Sequence, residues 1–211
     1  MSSSSAPVVV WGAGGHAAVV AEAAAAAGRT VVGFLDDTEG ASGAPGGAPL
    51  FRTLAAVADL APPVAVALGV GANGVRVRLA DRAEAAGLDL VTVVHPRAWV
   101  SPTARLGAGA VVMAGAVVQA RADAGRACIV NTGATVDHDC VLGAGAHVSP
   151  GAHLSGSVTL GDGAWVGTGA SVRDGVAIGA RTQVGAGAAV VSDLPADAVA
   201  FGVPARVRTA P

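Results

Sequence analysis

The chain has no lysine and no tyrosine, three tryptophans, three phenylalanines and two cysteines in 211 residues. Large aromatic side chains fill most ordinary cores. A chain this poor in them needs an interior suited to small and β-branched residues, and alanine, valine and glycine dominate here. Cys128 and Cys140 cannot form a disulfide framework, so a reducing, cytoplasmic setting is expected. All 13 basic residues are arginine, the net charge is −2, and no basic cluster forms. That leaves little support for a nucleic-acid partner. No apolar run is long enough to cross a bilayer. The Ser-rich residues 1–7 lack the charged and apolar regions of a signal peptide and are read as a disordered leader.

What is present is a repeat. From Val94 to Val190 every sixth residue is Val, Leu or Ile, with Ala124 as the one exception. Four places further on, nearly every sixth residue is small: Ala98, Ala104, Ala110, and so on through Cys128, Ala134, Cys140 and Ala146. A glycine often follows the aliphatic residue, as at Gly107, Gly143, Gly161 and Gly185. A period of six is neither helical nor a simple strand alternation. It fits a chain that turns a corner every six residues. Each short strand then points its aliphatic residue inward and fits a small residue at the corner. Three strands make one coil of a triangular parallel β-helix, and successive coils bury one another. No insertion breaks the phase, so no long loop leaves the prism. A pocket is then expected to need a neighbouring prism.

Residues 8–93 read differently. Strands are expected at residues 8–11, 30–35 and 64–68. Helices are expected at 17–27, 53–60 and 73–86, with a Gly/Pro/Ala-rich loop over 38–49. Strands alternating with helices predict a small parallel sheet, about half of a dinucleotide-binding fold. The organisation expected is thus a leader at 1–7, a Rossmann-like domain at 8–93, the β-helix at 94–190 and a C-terminal tail at 191–211.

Two segments carry chemistry. Gly12-Ala13-Gly14-Gly15-His16-Ala17 follows a strand and opens a helix, and Asp36 ends the next strand. Glycines let backbone approach a ligand closely, and helix N-terminal amides favour phosphate. The pattern fits a loose dinucleotide signature, and equally a plain tight turn. The second mononucleotide half is missing, whereas a sugar-linked nucleotide diphosphate needs only one half. The other segment runs from Asn131 to Cys140. His138 falls two places after the inward Val136, outside the aliphatic stack, with Asp137 and Asp139 on either side. A neighbouring carboxylate fixes an imidazole tautomer and raises its basicity. A solvated surface histidine beside acids is the plainer reading. His147 and His153 share an outward phase, but their spacing resembles no zinc pattern, and no metal is expected. The cysteines fall in the small-residue phase, as packing. Trp99 and Trp165 fall outward, as packing or subunit contacts.

These residues together resemble the bacterial sugar O- and N-acyltransferases of the sialic-acid O-acetyltransferase type, and among them the nucleotide-aminosugar N-acetyltransferases. The marks are Gly12 to His16, Gly33 to Asp37, Gly69 to Asn73 with Arg76, His95-Pro96, Asn131 to Cys140 and Phe201 to Ala205. The resemblance implies a left-handed prism and a homotrimer with acetyl-CoA in the groove between neighbouring prisms. It implies His138 as general base and Asp139 as the acid that orients it, at a position often Glu in the family. It implies Asn131 as a further catalytic residue, and His147, Gly156, Gly185 and Gly187 as acetyl-CoA contacts, with the Gly156 amide on the thioester carbonyl. Gly12, Gly14, Gly15, His16, Asp36, Asp37 and Asn73 match the nucleotide-sugar pocket. Thr38 stands where some relatives carry lysine. The implied reaction is acetyl transfer from acetyl-CoA to a nucleotide-linked amino sugar, of the 4-amino-4,6-dideoxy type, without a covalent intermediate. Sugar O-acetylation, an NAD-binding oxidoreductase-like protein and a non-catalytic β-helix are the alternatives.

Overall fold

The computed structural model describes residues 6–41 and 43–208; most of the expected leader, residues 1–5, lies outside them. The chain divides into two compact units, the first ending at Pro96 and the second beginning at Arg97.

The first unit is a four-stranded parallel sheet with helices. β1 (Val8–Trp11) is a run of four buried apolar residues, as a strand covered on both faces requires. It is followed by α1 (Gly15–Ala26), β2 (Val31–Leu35), β3 (Leu50–Phe51), α2 (Leu54–Ala58), β4 (Ala65–Leu68) and α3 (Asn73–Ala85). The Thr53 hydroxyl caps α2 by accepting from Ala56 N at 3.2 Å. That helix is shorter than its apolar pattern, ending ahead of Pro62-Pro63. β3 was not legible from periodicity: it is two residues long and exists by pairing Leu50 with Phe34 on the sheet edge. Strand order is β3-β2-β1-β4. β1 therefore has β2 on one side and β4 on the other, and the crossovers diverge from it. Ligands of open α/β sheets bind at such a point, beyond the carboxyl ends of the strands.

The second unit is a left-handed parallel β-helix. Its two-residue strands form three faces. Face I holds Val111–Val112, Ile129–Val130, His147–Val148, Trp165–Val166 and Gln183–Val184. Face II holds Trp99–Val100, Val117–Val118, Thr135–Val136, His153–Leu154, Ser171–Val172 and Ala189–Val190. Face III holds Arg105–Leu106, Asp123–Ala124, Val141–Leu142, Thr159–Leu160 and Ala177–Ile178. Partners on a face stand 18 residues apart, as in Ile129 with His147. From Val112 to Val190 the aliphatic phase is buried at every step, and from Ala110 to Ala188 so is the small-residue phase. Both phases fill the interior, the second as the floor of each corner.

The corners use glycine in two ways. From Gly109 to Gly187 the residue before each small one is left-handed, with φ of 70° at Gly109 and 67° at Gly145, and Arg121, Asp139 and Arg181 take the same conformation at 59°, 60° and 58°. Gly143, just after an aliphatic residue, instead meets the next coil: a Cβ there would sit 2.5 Å from Asp162 N.

The stack continues past Val190, where the fixed six-residue phase is lost. Ile178 bridges Leu194 and Val184 pairs with Ala200, each 16 residues apart rather than 18. One corner is two residues short, so the coil goes on in a shifted frame. Val199–Phe201 then pairs antiparallel with Arg206–Val207 and ends the sheet.

Candidate active site

In the first unit the carboxyl ends of β1, β2 and β4 bring Gly12, Asp36 and Gly69 together. Gly12 donates its N–H to Leu35 O at 2.7 Å and has φ of 115°. A Cβ on it would lie 2.9 Å from Gly69 O. Only glycine fits this turn. Gly14 caps α1 and Gly15 opens it, and a Cβ on either would meet nothing within 4 Å. The helix N-terminus is thus open to a ligand. A cleft of about 360 Å³ is lined by Gly12, Asp36, Asp37, Trp11, Arg78 and Arg82, among others.

Inside this cleft Asp37 pairs with Arg82, whose guanidinium lies 4.9 Å over the Trp11 ring. The hydrogen bond and charge of Arg82 outweigh the cost of burial and hold the Asp37 carboxyl below the usual range. Asp36 accepts from Thr38 N at 3.0 Å. Asn73 is turned to the fully buried Arg76, accepting from Nη2 at 2.9 Å, while Arg76 Nη1 holds Gly71 O at 2.8 Å. It braces the segment after β4. Burial, and then the charge of Arg76, lower the His16 pKa; its Nε2 is buried without a hydrogen-bond partner among the described residues.

In the prism, the corner from face II to face III carries Asp137, His138 and Asp139. The Asp137 carboxylate accepts from His138 N at 2.7 Å, fixing the turn. His138 Nδ1 lies 2.8 Å from Asp139 Oδ2. The left-handed φ at Asp139 allows this reach between sequence neighbours. With Nδ1–H donating to the carboxylate, Nε2 carries the lone pair. Gly156, one coil later, lies against that ring: a Cβ on it would stand 2.7 Å from Nε2. The Gly156 N–H donates to no group among the described residues.

Sequence reasoning missed Arg121. Its Nε lies 2.6 Å from Asp139 Oδ1 and its Nη2 2.8 Å from Oδ2. The bidentate Arg121 pair, then His138, hold the Asp139 carboxyl far below the ordinary range. The signal was available: Arg121 stands one coil, three repeats, before Asp139. Arg82 and Trp11 escaped because they meet Asp37 only through the sheet.

Asn131 and His147 form a separate group. Asn131 Nδ2 lies 3.1 Å from His147 Nε2, at the corner from face I to face II. His147 is buried despite its outward phase and stacks on Trp165, centroids 6.0 Å apart; Trp165 Nε1 donates to Ser149 Oγ at 2.6 Å. Gly185 continues the column Asn131, Ser149, Gly167, and Gly187 sits in the left-handed slot of the same corner. The structure therefore brings Asn131 to His147, and His138 to Asp139 and Gly156, at different corners of the prism.

Both cysteines are free and buried. Cys140 Sγ donates to Ser155 O at 3.1 Å, and burial pushes its thiol up. Neither is poised as a nucleophile. Among the described residues no group of three or more His, Cys, Asp or Glu stands together as a metal site, and no helix is long and apolar enough to cross a membrane.

Comparison with known proteins bears on the whole chain. Residues 7–83 match the PglD N-terminal domain. The acetyltransferase domain of PglB from Neisseria gonorrhoeae FA1090 is 42% identical, over 97% of this chain and 100% of that one, with a TM-score of 0.90. PerB from Caulobacter crescentus, solved with CoA and GDP-perosamine, is 43% identical over 96% of this chain and 97% of that one, with a TM-score of 0.91. Variants of this perosamine N-acetyltransferase with one histidine replaced by asparagine or alanine match equally closely, at 41% identity and a TM-score of 0.92. UDP-N-acetylbacillosamine N-acetyltransferase from Bacillus subtilis (strain 168) is 44% identical over 55 residues; that match spans only 26% of each chain, about a quarter of the relative's length.

Proposed function

The chain belongs to the acetyltransferase family of PglB and PerB, and from that membership we propose that it transfers an acetyl group from acetyl-CoA to the amine of a nucleotide-linked 4-amino-4,6-dideoxy sugar. The observation that carries the reading is the 2.8 Å bond from His138 Nδ1 to Asp139. It leaves Nε2 as a base on an exposed corner, beside an amide with no acceptor among the described residues.

In this reading the sugar amine attacks the thioester carbonyl. As the C–N bond forms, the amine proton passes to His138 Nε2, and Asp139 steadies the imidazolium. The Gly156 N–H binds the developing oxyanion. The intermediate collapses with loss of the C–S bond, and the leaving thiolate takes the proton back from the imidazolium. No enzyme nucleophile is needed.

The cleft of the first unit takes the nucleotide, with the open N-terminus of α1 toward the diphosphate. The Asn131–His147–Trp165 column takes acetyl-CoA, with Gly185 and Gly187 leaving room along the same corner. That column and His138 stand on different corners, which supports a homotrimer in which a groove between two prisms holds the thioester. Fixing both substrates there supplies the orientation part of the rate. We place the reaction in the cytoplasm, where acetyl-CoA is made; cell fractionation checks this.

The test is thiol release from acetyl-CoA across nucleotide-linked 4-amino sugars, with sialic acid as the hydroxyl comparison. His138→Ala is expected to lose about 10²- to 10⁴-fold in kcat while staying folded. A near wild-type rate overturns the reading. Mass measurement in solution checks the trimer.

A further inference from the structure

Pairs of arginine and aspartate tie neighbouring coils at the prism surface, among them Arg105 with Asp123, Arg121 with Asp139 and Arg181 with Asp197. The last two are twins. In each, arginine and aspartate both occupy left-handed corner positions, with φ of 59° and 60° in one and 58° and 57° in the other. In each, Nε and Nη2 meet the two carboxylate oxygens, at 2.6 and 2.8 Å in one and at 2.6 and 2.6 Å in the other. They differ in what precedes the aspartate. Ala196 precedes Asp197, whereas His138 precedes Asp139 and its Nδ1 shares the same Oδ2 that Arg121 Nη2 holds.

An exposed ion pair by itself contributes little to stability. At Asp139 the fork does something the twin does not: it fixes the plane of a carboxylate that also holds an imidazole nitrogen. Aspartate has two side-chain torsions, and a bond to the adjacent residue is made from a narrow part of that range. A bidentate guanidinium sets that orientation, whereas an ammonium, a point charge, does not.

We propose that Arg121 is a positioning residue for the acetyl transfer: held one coil before the base, it locks Asp139 in the orientation that aims His138. This rests on His138 being the base. In this role Arg121 acts through Asp139, whose two carboxylate oxygens it holds.

The twin provides the control. Arg121→Gln and Arg181→Gln each remove one rung and should cost similar thermal stability. Arg121→Gln is expected to lower kcat about tenfold, the scale of a lost orienting partner, with KM for acetyl-CoA and for the sugar nucleotide within twofold of wild type. Arg181→Gln should leave kcat unchanged. Arg121→Lys should recover the stability but only part of kcat, because the charge returns without the fork. In an Asp139→Asn background, Arg121→Gln should add nothing further. Equal kcat for the two glutamine variants, or losses that multiply with Asp139→Asn, overturn the proposal. His138→Ala is measured alongside. If it is inactive while Arg121→Gln is normal, only the positioning role falls; if it is active, the base reading falls and the positioning role with it.

Discussion

The backbone of Gly156 lies against the imidazole of His138, so close that a single added methyl would stand 2.5 Å from Cε1 and 2.7 Å from Nε2. No real Cβ packs at that distance from a ring. The colliding group is an exposed side chain at a corner, not the aliphatic stack. Gly156→Ala should therefore fold with a near wild-type melting temperature and turn the imidazole aside. A displacement near 1 Å at a reacting group costs about 10²-fold. Thiol-release kinetics and a melting curve on the same sample check this; an active, stable alanine variant contradicts the contact.

The first unit should soften in mild acid. Burial, helped by Arg76, holds the His16 pKa below its ordinary value, so the folded imidazole resists protonation. Below about pH 6.5 the unfolded chain takes up a proton that the folded chain refuses, and stability falls with pH. The loss should set in as the pH falls below about 6.5 and grow from there. His16→Gln should flatten that slope in denaturant titrations run at each pH. A slope unchanged in the variant assigns the effect elsewhere.

The stack of His147 on Trp165, 6.0 Å between centroids, should matter for the thioester substrate rather than the sugar. An aromatic pair contributes about 0.5–1.5 kcal/mol beyond its area. Trp165→Ala and Asn131→Ala should each raise KM for acetyl-CoA about 3- to 10-fold and leave KM for the sugar nucleotide in place. The opposite pattern would move this column to the acceptor side.

Arg82 covers Trp11 and holds Asp37 in the cleft of the first unit. Arg82→Ala releases a charge-assisted bond, a loss of about 1.5–3 kcal/mol where the pair orders a site. Titration with the sugar nucleotide should show affinity reduced about tenfold or more, with acetyl-CoA binding intact. Equal weakening of both ligands would mean general destabilisation.

The repeat made much of this legible. Residues met every six along the chain told which side chains fill the prism, put Cys128 and Cys140 inside it, and left His138 outside. The strand, glycine turn and helix at 8–26 were equally plain, because local chemistry dictates them. What stayed hidden depends on which coil lies over which. Arg121 reaches Asp139, and Gly156 reaches His138, only through an 18-residue step that a six-residue phase does not single out. His147 is outward by phase yet buried, because Trp165 and Asn131 close over it from adjacent coils. β3 and the coil beyond Val190 were lost for a related reason: a two-residue strand has no period, and a corner two residues short resets the count.

The left-handed corner slots carry a consequence of their own. The same backbone conformation returns every six residues from Gly109 to Gly187, filled now by glycine, now by Arg121, Ala127, Asp139, Ser157 or Arg181. The core does not read what stands there. Each slot is a socket on a regular lattice, and function is written by choosing occupants for sockets that lie one above another. A His-Asp pair with its arginine and its glycine occupies three consecutive floors of one edge. Moved on by one coil toward the C-terminus, the same set would meet the same backbone at 139, 157 and 174, so the geometry of that corner is transferable along the prism by a step of 18 residues, independently of the sequence inside.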